Sequence, residues 1–215
     1  MSSVVVFDLD KVLLGGDAST LFLHGRLSQA PARLLPLLLA APLLLPGSAL
    51  PHSRPLAARL MTRIAVGGSA DDDVEAVAAA YRRALARKPE AAVADAIARL
   101  RRHRADGDLV VVATGCEETL ARGFLAAIGL GDLDVIGSTG RLWPPRVRRA
   151  MGESKVAMLT ERGYPPPWKA AYSDSPSDLP LFAGSPHPVL VNNDEQAARQ
   201  VERGLGRRPE TVTWR

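Results

Sequence analysis

Asp8 and Asp10 stand two residues apart at the end of the apolar run Val4-Val5-Val6-Phe7. Residues i and i+2 of an extended chain share a face, so both carboxylates are expected at one spot. Like charges that close raise each other's pKa unless a cation lies between them. A second acidic pair, Asp174 and Asp178, follows another apolar run in Tyr172-Ser173-Asp174-Ser175-Pro176-Ser177-Asp178 and is expected at the same place. Oxygen-rich clusters of this kind suit Mg²⁺, which keeps several waters and binds through one or two carboxylates plus substrate phosphate. Either pair alone reads as well as ordinary loop and capping residues. Both at strand ends make the metal reading the stronger one.

The other reactive side chains point to less. Cys116 follows Thr114 by two residues but has no histidine nearby in sequence to activate it, so it reads as a buried thiol. His24, His52, His103 and His187 show no ligand spacing and receive no role. Asp71, Asp72 and Asp73 precede an Ala-rich helix expected over residues 74–87 and read as its N-terminal caps.

The elements that must carry the acidic pairs come from four short apolar runs at residues 4–9, 109–113, 170–172 and 189–191, which read as buried strands. A fifth strand is expected over 134–137, followed by a hairpin through Ser138-Thr139-Gly140, and the tail 211–214 adds an edge strand. Helices are expected between them, including 117–128 and 154–162. This alternation implies an α/β fold, a doubly wound, mostly parallel sheet with helices on both faces. From 17 to 86 the alternation gives way to Ala, Leu and Arg patterns broken by prolines, which reads as a helical insert. Beginning just after the first strand, it should lie over the carboxyl edge of the sheet, where open α/β folds bind ligands. The expected division is a catalytic core of 1–16 and 88–215 and a helical cap of 17–87, a size that 215 residues can fill.

Composition narrows the partners. With 47% apolar and 23% charged residues, the chain has the balance of a folded protein. One cysteine excludes an internal disulfide, and residues 1–10 lack a basic start and long apolar stretch, so a cytoplasmic setting is expected. The net charge of +4 is spread through helical-looking segments such as 99–104, and aromatics are only 5% of the chain, so a solvated face is expected and nucleic-acid binding is not. The Leu-rich run from Leu34 to Leu45 is shorter than the roughly 20 residues of a membrane span and contains Pro36 and Pro42. It reads as a buried cap helix or partner surface. The alternative is peripheral membrane contact, with Arg26, Arg33, Arg54 and Arg59 near lipid headgroups.

Four motifs in order then resemble the haloacid dehalogenase superfamily, in its branch of phosphoserine-phosphatase-like hydrolases and their lipid-phosphatase relatives. They are Asp8-Leu9-Asp10-Lys11-Val12, Val110-Val111-Val112-Ala113-Thr114-Gly115, Gly152-Glu153-Ser154-Lys155, and the Ser173 to Asp178 loop. The resemblance implies a Mg²⁺-dependent phosphate monoester hydrolase. Asp8 is its nucleophile, forming an aspartyl-phosphate, and Asp10 its general acid and base. Thr114 and Gly115 would meet the phosphoryl group, and Lys155 would supply a positive charge against it. Mg²⁺ would be held by the Asp8 side chain, the Asp10 carbonyl and Asp174, with Asp178 supporting the site through water or by holding Lys155. Lys11 stands where many relatives have glycine. It is expected to turn to solvent, the alternative being a second phosphate contact. Asp17 either contacts substrate from the cap entrance or caps a helix beginning at Ala18. The expected substrate is a small phosphorylated metabolite or a phospholipid headgroup monoester. A non-catalytic binding protein on the same fold is the alternative class, but every motif carboxylate is in place.

Overall fold

A computed structural model of the chain describes residues 3–27, 74–142 and 145–215, without the side chains of 26, 27 and 140–147. The Leu34 to Leu45 run and Asp71 to Asp73 lie outside these residues. In chain order the elements are β1 (Val4–Phe7), α1 (Ala18–Leu27), α2 (Val74–Leu85), α3 (Ala94–Ala105), β2 (Leu109–Glu117), α4 (Glu118–Ala127), β3 (Asp134–Leu142), β4 (Pro145–Arg148), α5 (Glu153–Glu161), β5 (Ala170–Ser173), α6 (Leu179–Ala183), β6 (Pro188–Val191), α7 (Glu195–Leu205) and β7 (Glu210–Val212).

The strands form one sheet in the order β4-β3-β2-β1-β5-β6-β7. All neighbours are parallel except β3 and β4. Continuous apolar runs become the central strands because helices cover both of their faces. The apolar residues of β1 show why: Val5 and Phe7 pack into one hydrophobic cluster and Val6 into another on the opposite side. The sheet is doubly wound as expected. Its winding reverses at β1, which pairs with β2 on one side and β5 on the other. Ligands of open α/β sheets bind at the carboxyl ends of the strands at such a switch point.

The expected hairpin through Ser138-Thr139-Gly140 is corrected by the structure. β3 runs on to Leu142, and Thr139 and Gly140 pair antiparallel with Arg148 and Val147. Ser138 is held within the strand. Its hydroxyl donates to the Gly115 carbonyl at 2.8 Å and accepts from the Ala150 amide at 3.0 Å, which draws the chain past the glycine.

α1 and α2 are the helices described within the 17–87 segment, and both pack into the cluster that holds Phe7 and Phe124. Their approach needs small residues. A Cβ on Gly25 would stand 1.9 Å from the Ala80 carbonyl oxygen, and one on Gly123 of α4 would stand 2.3 Å from Val77. The buried Tyr81 hydroxyl donates to the Ala18 carbonyl at 2.8 Å, fixing the first turn of α1 beside the end of β1.

Candidate active site

Asp8 follows β1 directly, and its amide donates to the Tyr172 carbonyl at 2.8 Å, continuing the ladder between β1 and β5. Asp8 as a residue is 7% exposed. Oδ1 accepts from the Leu9 amide at 2.7 Å and Oδ2 from Lys155 Nζ at 3.2 Å. Burial is the main cause that pushes Asp8 up to about 7 from 3.8; the Lys155 charge pulls it back, while Asp178 and Asp10 add to the rise.

Asp10 turns toward α1, whose first amide, at Ala18, donates to its Oδ1 at 3.0 Å. Burial again is the leading cause that pushes Asp10 up to about 7, with Asp17 and Asp174 adding to it and the Ala18 amide opposing it. The turn that follows is compact: the Leu9 carbonyl accepts from the amides of Val12, Leu13 and Leu14, and all three side chains are buried. The two carboxylates therefore differ in their partners. Asp8 faces an ammonium; Asp10 faces one helix amide.

Lys155 sits in the first turn of α5, which enters from Gly152 at φ +53°, a left-handed conformation natural to glycine. It is only 2% exposed and donates to Asp178 Oδ2 at 2.6 Å as well as to Asp8. Burial opposes its charge, but Asp8 and Asp178 outweigh that and hold it above its ordinary value. The Ser173 hydroxyl donates to the same Asp178 oxygen at 2.7 Å. Asp178 thus anchors the lysine from the short 3₁₀ turn Pro176–Asp178.

Thr114 is fully buried in β2 beside β1. Its Oγ1 accepts from the Cys116 amide at 3.1 Å, leaving the hydroxyl proton to donate, and the adjoining Gly115 is exposed. Asp174 follows β5, and Lys11 Nζ lies 3.5 Å from its Oδ2. Burial raises its carboxyl, which the Lys11 charge opposes. Asp17 is exposed and accepts from the Thr20 amide at 2.8 Å and the Thr20 hydroxyl at 3.0 Å. This is the geometry of a helix N-cap.

Two site residues carry no role in the sequence reading. Asn192 and Asn193 follow β6; Asn192 donates to the Lys11 carbonyl at 3.2 Å, and Asn193 donates to the Asp174 carbonyl. Their position after an apolar strand is the same signal that marks Asp8 and Asp174. Burial pushes the Cys116 thiol well up, in keeping with an unreactive buried cysteine.

The donor set fits a hard divalent cation. Asp8, Asp10, Asp174 and Asp178 supply four carboxylates against the two ammonium groups of Lys155 and Lys11, and Asp8, Asp10 and Asp174 are left with raised carboxyls. Among the described residues no three His, Cys, Asp or Glu side chains converge to cage an ion. Mg²⁺ needs no such cage, since waters and substrate phosphate complete its shell.

A family model for haloacid dehalogenase-like hydrolase matches residues 5–183. No curated protein matches the chain by sequence. Among solved structures, a protein with unknown function from Bordetella pertussis Tohama I is 20% identical with a TM-score of 0.58, covering 99% of both chains. A phosphoserine phosphohydrolase-like protein from Francisella tularensis subsp. tularensis SCHU S4 is 12% identical with a TM-score of 0.53, covering 99% of this chain and 95% of its own. A substrate-bound phosphoserine phosphatase complex is 13% identical with a TM-score of 0.51, covering 93% of this chain and 90% of its own. At these identities the likeness is one of fold.

Proposed function

We propose that this chain, which belongs to the haloacid dehalogenase-like hydrolases, is a Mg²⁺-dependent phosphatase that passes the phosphoryl group of a small ester through Asp8. The observation that carries this reading is the unequal pair at the end of β1. Asp8 faces the buried ammonium of Lys155, while Asp10 is held by a single helix amide.

The steps follow from that inequality. An Asp8 carboxylate oxygen bonds to phosphorus as the bond from phosphorus to the leaving oxygen breaks, and Asp10 gives that oxygen its proton. Asp10, now ionised, takes a proton from water as the water oxygen attacks phosphorus. The Asp8–phosphorus bond then breaks, releasing phosphate and restoring the Asp8 carboxylate. A carboxyl near 7 serves both proton transfers well, because efficiency peaks when the group titrates near the working pH. Lys155 and the Thr114 hydroxyl balance charge on the phosphoryl oxygens. Mg²⁺, held by the Asp8 and Asp174 carboxylates and the Asp10 carbonyl, with Asp178 behind Lys155, would neutralise the charge that the phosphate brings among these carboxylates. Selection of the leaving group would fall to the 17–87 segment.

A screen of phosphate esters tests the reading. At least one soluble ester should release phosphate with Mg²⁺, lose activity in EDTA, regain it with Mg²⁺ and recover little with Ca²⁺, whose larger and looser shell misplaces the attacking carboxylate. Full activity in EDTA would refute it. Lipid phosphate monoesters in detergent micelles form a second arm, in which a preference for them over soluble esters would move the substrate to a phospholipid headgroup.

A further inference from the structure

Lys11 occupies a backbone position that suits glycine. Its φ is +58°, a conformation that glycine adopts freely and that a residue with a Cβ adopts only under constraint. The constraint comes from the end of β6, where Asn192 donates to the Lys11 carbonyl at 3.2 Å. The next residue, Asn193, donates to the carbonyl of Asp174. One dipeptide therefore clasps the loop after β1 to the loop after β5 and fixes where Lys11 stands relative to Asp174.

Across this clasp Lys11 Nζ lies 3.5 Å from Asp174 Oδ2, with the lysine side chain 69% exposed and the aspartate side chain 16%. The lysine can withdraw into solvent; the carboxylate cannot follow it. Lys155 is committed elsewhere, donating to Asp8 and Asp178. Taking Asp174 as a cation ligand, as the proposed function does, we propose that Lys11 is a built-in counter-ion that competes with the metal for Asp174. It neutralises that carboxylate while no ion is bound, gives way to Mg²⁺, and so sets the Mg²⁺ concentration at which the site fills. Its role is electrostatic and acts through Asp174, which makes it a positioning residue and not a catalytic one.

Calorimetric titration of the metal-free protein with Mg²⁺ alone tests this without turnover. Lys11→Arg, Lys11→Met and Lys11→Glu all keep a Cβ, so backbone demand is constant and only charge changes along the series. The Arg variant should bind as the wild type does. The Met variant should bind about threefold more tightly or better, the scale of an exposed ion pair, and the Glu variant more tightly still. Added salt should narrow the gap between wild type and the Met variant, because screening weakens exposed charges most. Equal or weaker binding by a folded Met variant would overturn the inference and leave the phosphatase reading standing. No Mg²⁺ binding by the wild type would instead remove the metal from the site, and this inference with it.

Discussion

Two polar clusters meet at β5 and each sets aspartate against lysine, yet they are balanced differently. At the carboxyl edge, Asp8 and Asp178 hold Lys155, and Asp10 stands apart on the Ala18 amide. Toward the amino edge, Asp108 and Lys169, each just before its strand, join His103 and Tyr172. There Lys169 donates to Asp108 at 2.6 Å, the His103 ring meets Asp108 at 2.8 Å and the Tyr172 hydroxyl at 2.8 Å, and Arg99 Nε donates to that hydroxyl at 3.0 Å. The His103 ring thus bridges Asp108 and the Tyr172 hydroxyl, one through each nitrogen. Against the burial that would raise it, Lys169 and His103 bring Asp108 below its ordinary value, whereas Asp8 and Asp10 are pushed up to about 7. The amino-edge cluster is closed. The carboxyl-edge cluster is left short of positive charge, which a divalent cation would supply.

Asp8→Asn should separate the two clusters most sharply. It should bring turnover to background while Lys155 keeps Asp178 and the fold survives, because an amide cannot act as the attacking carboxylate. More than a tenth of wild-type activity in a folded variant would break the nucleophile assignment. Asp10→Asn should lower kcat by about 10² to 10⁴-fold, the usual contribution of general acid–base catalysis, and most for esters with poor leaving groups. A larger loss with p-nitrophenyl phosphate, whose leaving group needs no proton, would contradict the acid role.

Stability should sort the other way. Lys155→Met strands two buried carboxylates, so thermal or urea unfolding should show a loss of about 3–5 kcal/mol. Asp108→Asn weakens a closed network by about 1–2 kcal/mol and should leave kcat unchanged. If Asp108→Asn proved the more damaging to activity, the division of labour between the clusters would be wrong.

The smallest effect expected is a pH dependence. Folded and metal-free, Asp8 and Asp10 keep their protons up to about 7, whereas an unfolded aspartate releases its proton near 3.8. The folded state therefore binds more protons between these values. Their contribution to stability is complete below about pH 4 and is lost as pH rises through about 7. Mg²⁺ binds the ionised carboxylates, so the rise in Tm on adding it should be larger at pH 8 than at pH 5.5. An equal rise at both would show that these carboxylates do not meet the ion.

What the sequence disclosed follows the same physics. β1, β2, β5 and β6 are legible because strands buried on both faces are near-continuous apolar runs, and acidic residues just after β1 and β5 are conspicuous there. β4 is not legible: Pro145-Arg146-Val147-Arg148 carries proline and charge, which only an edge strand tolerates, and Gly140 gives a turn signal that the Ser138 hydrogen bonds override. Asn192 and Asn193 escape because asparagine after a strand reads as ordinary turn chemistry. The His103–Tyr172 contact joins residues 69 apart in sequence, and no local pattern announces it.

The most direct test of the account is to trap the phosphoryl group in flight. Asp10→Asn should still form the intermediate from ³²P-labelled p-nitrophenyl phosphate, since p-nitrophenolate leaves unaided, but it should break down slowly because water lacks its base. Acid quenching and peptide mapping should then find label on the peptide that contains Asp8, removable by hydroxylamine and absent from a variant that also carries Asp8→Asn. Label on any other residue, or p-nitrophenol release by Asp10→Asn with no label on Asp8 in the first turnover, would contradict it.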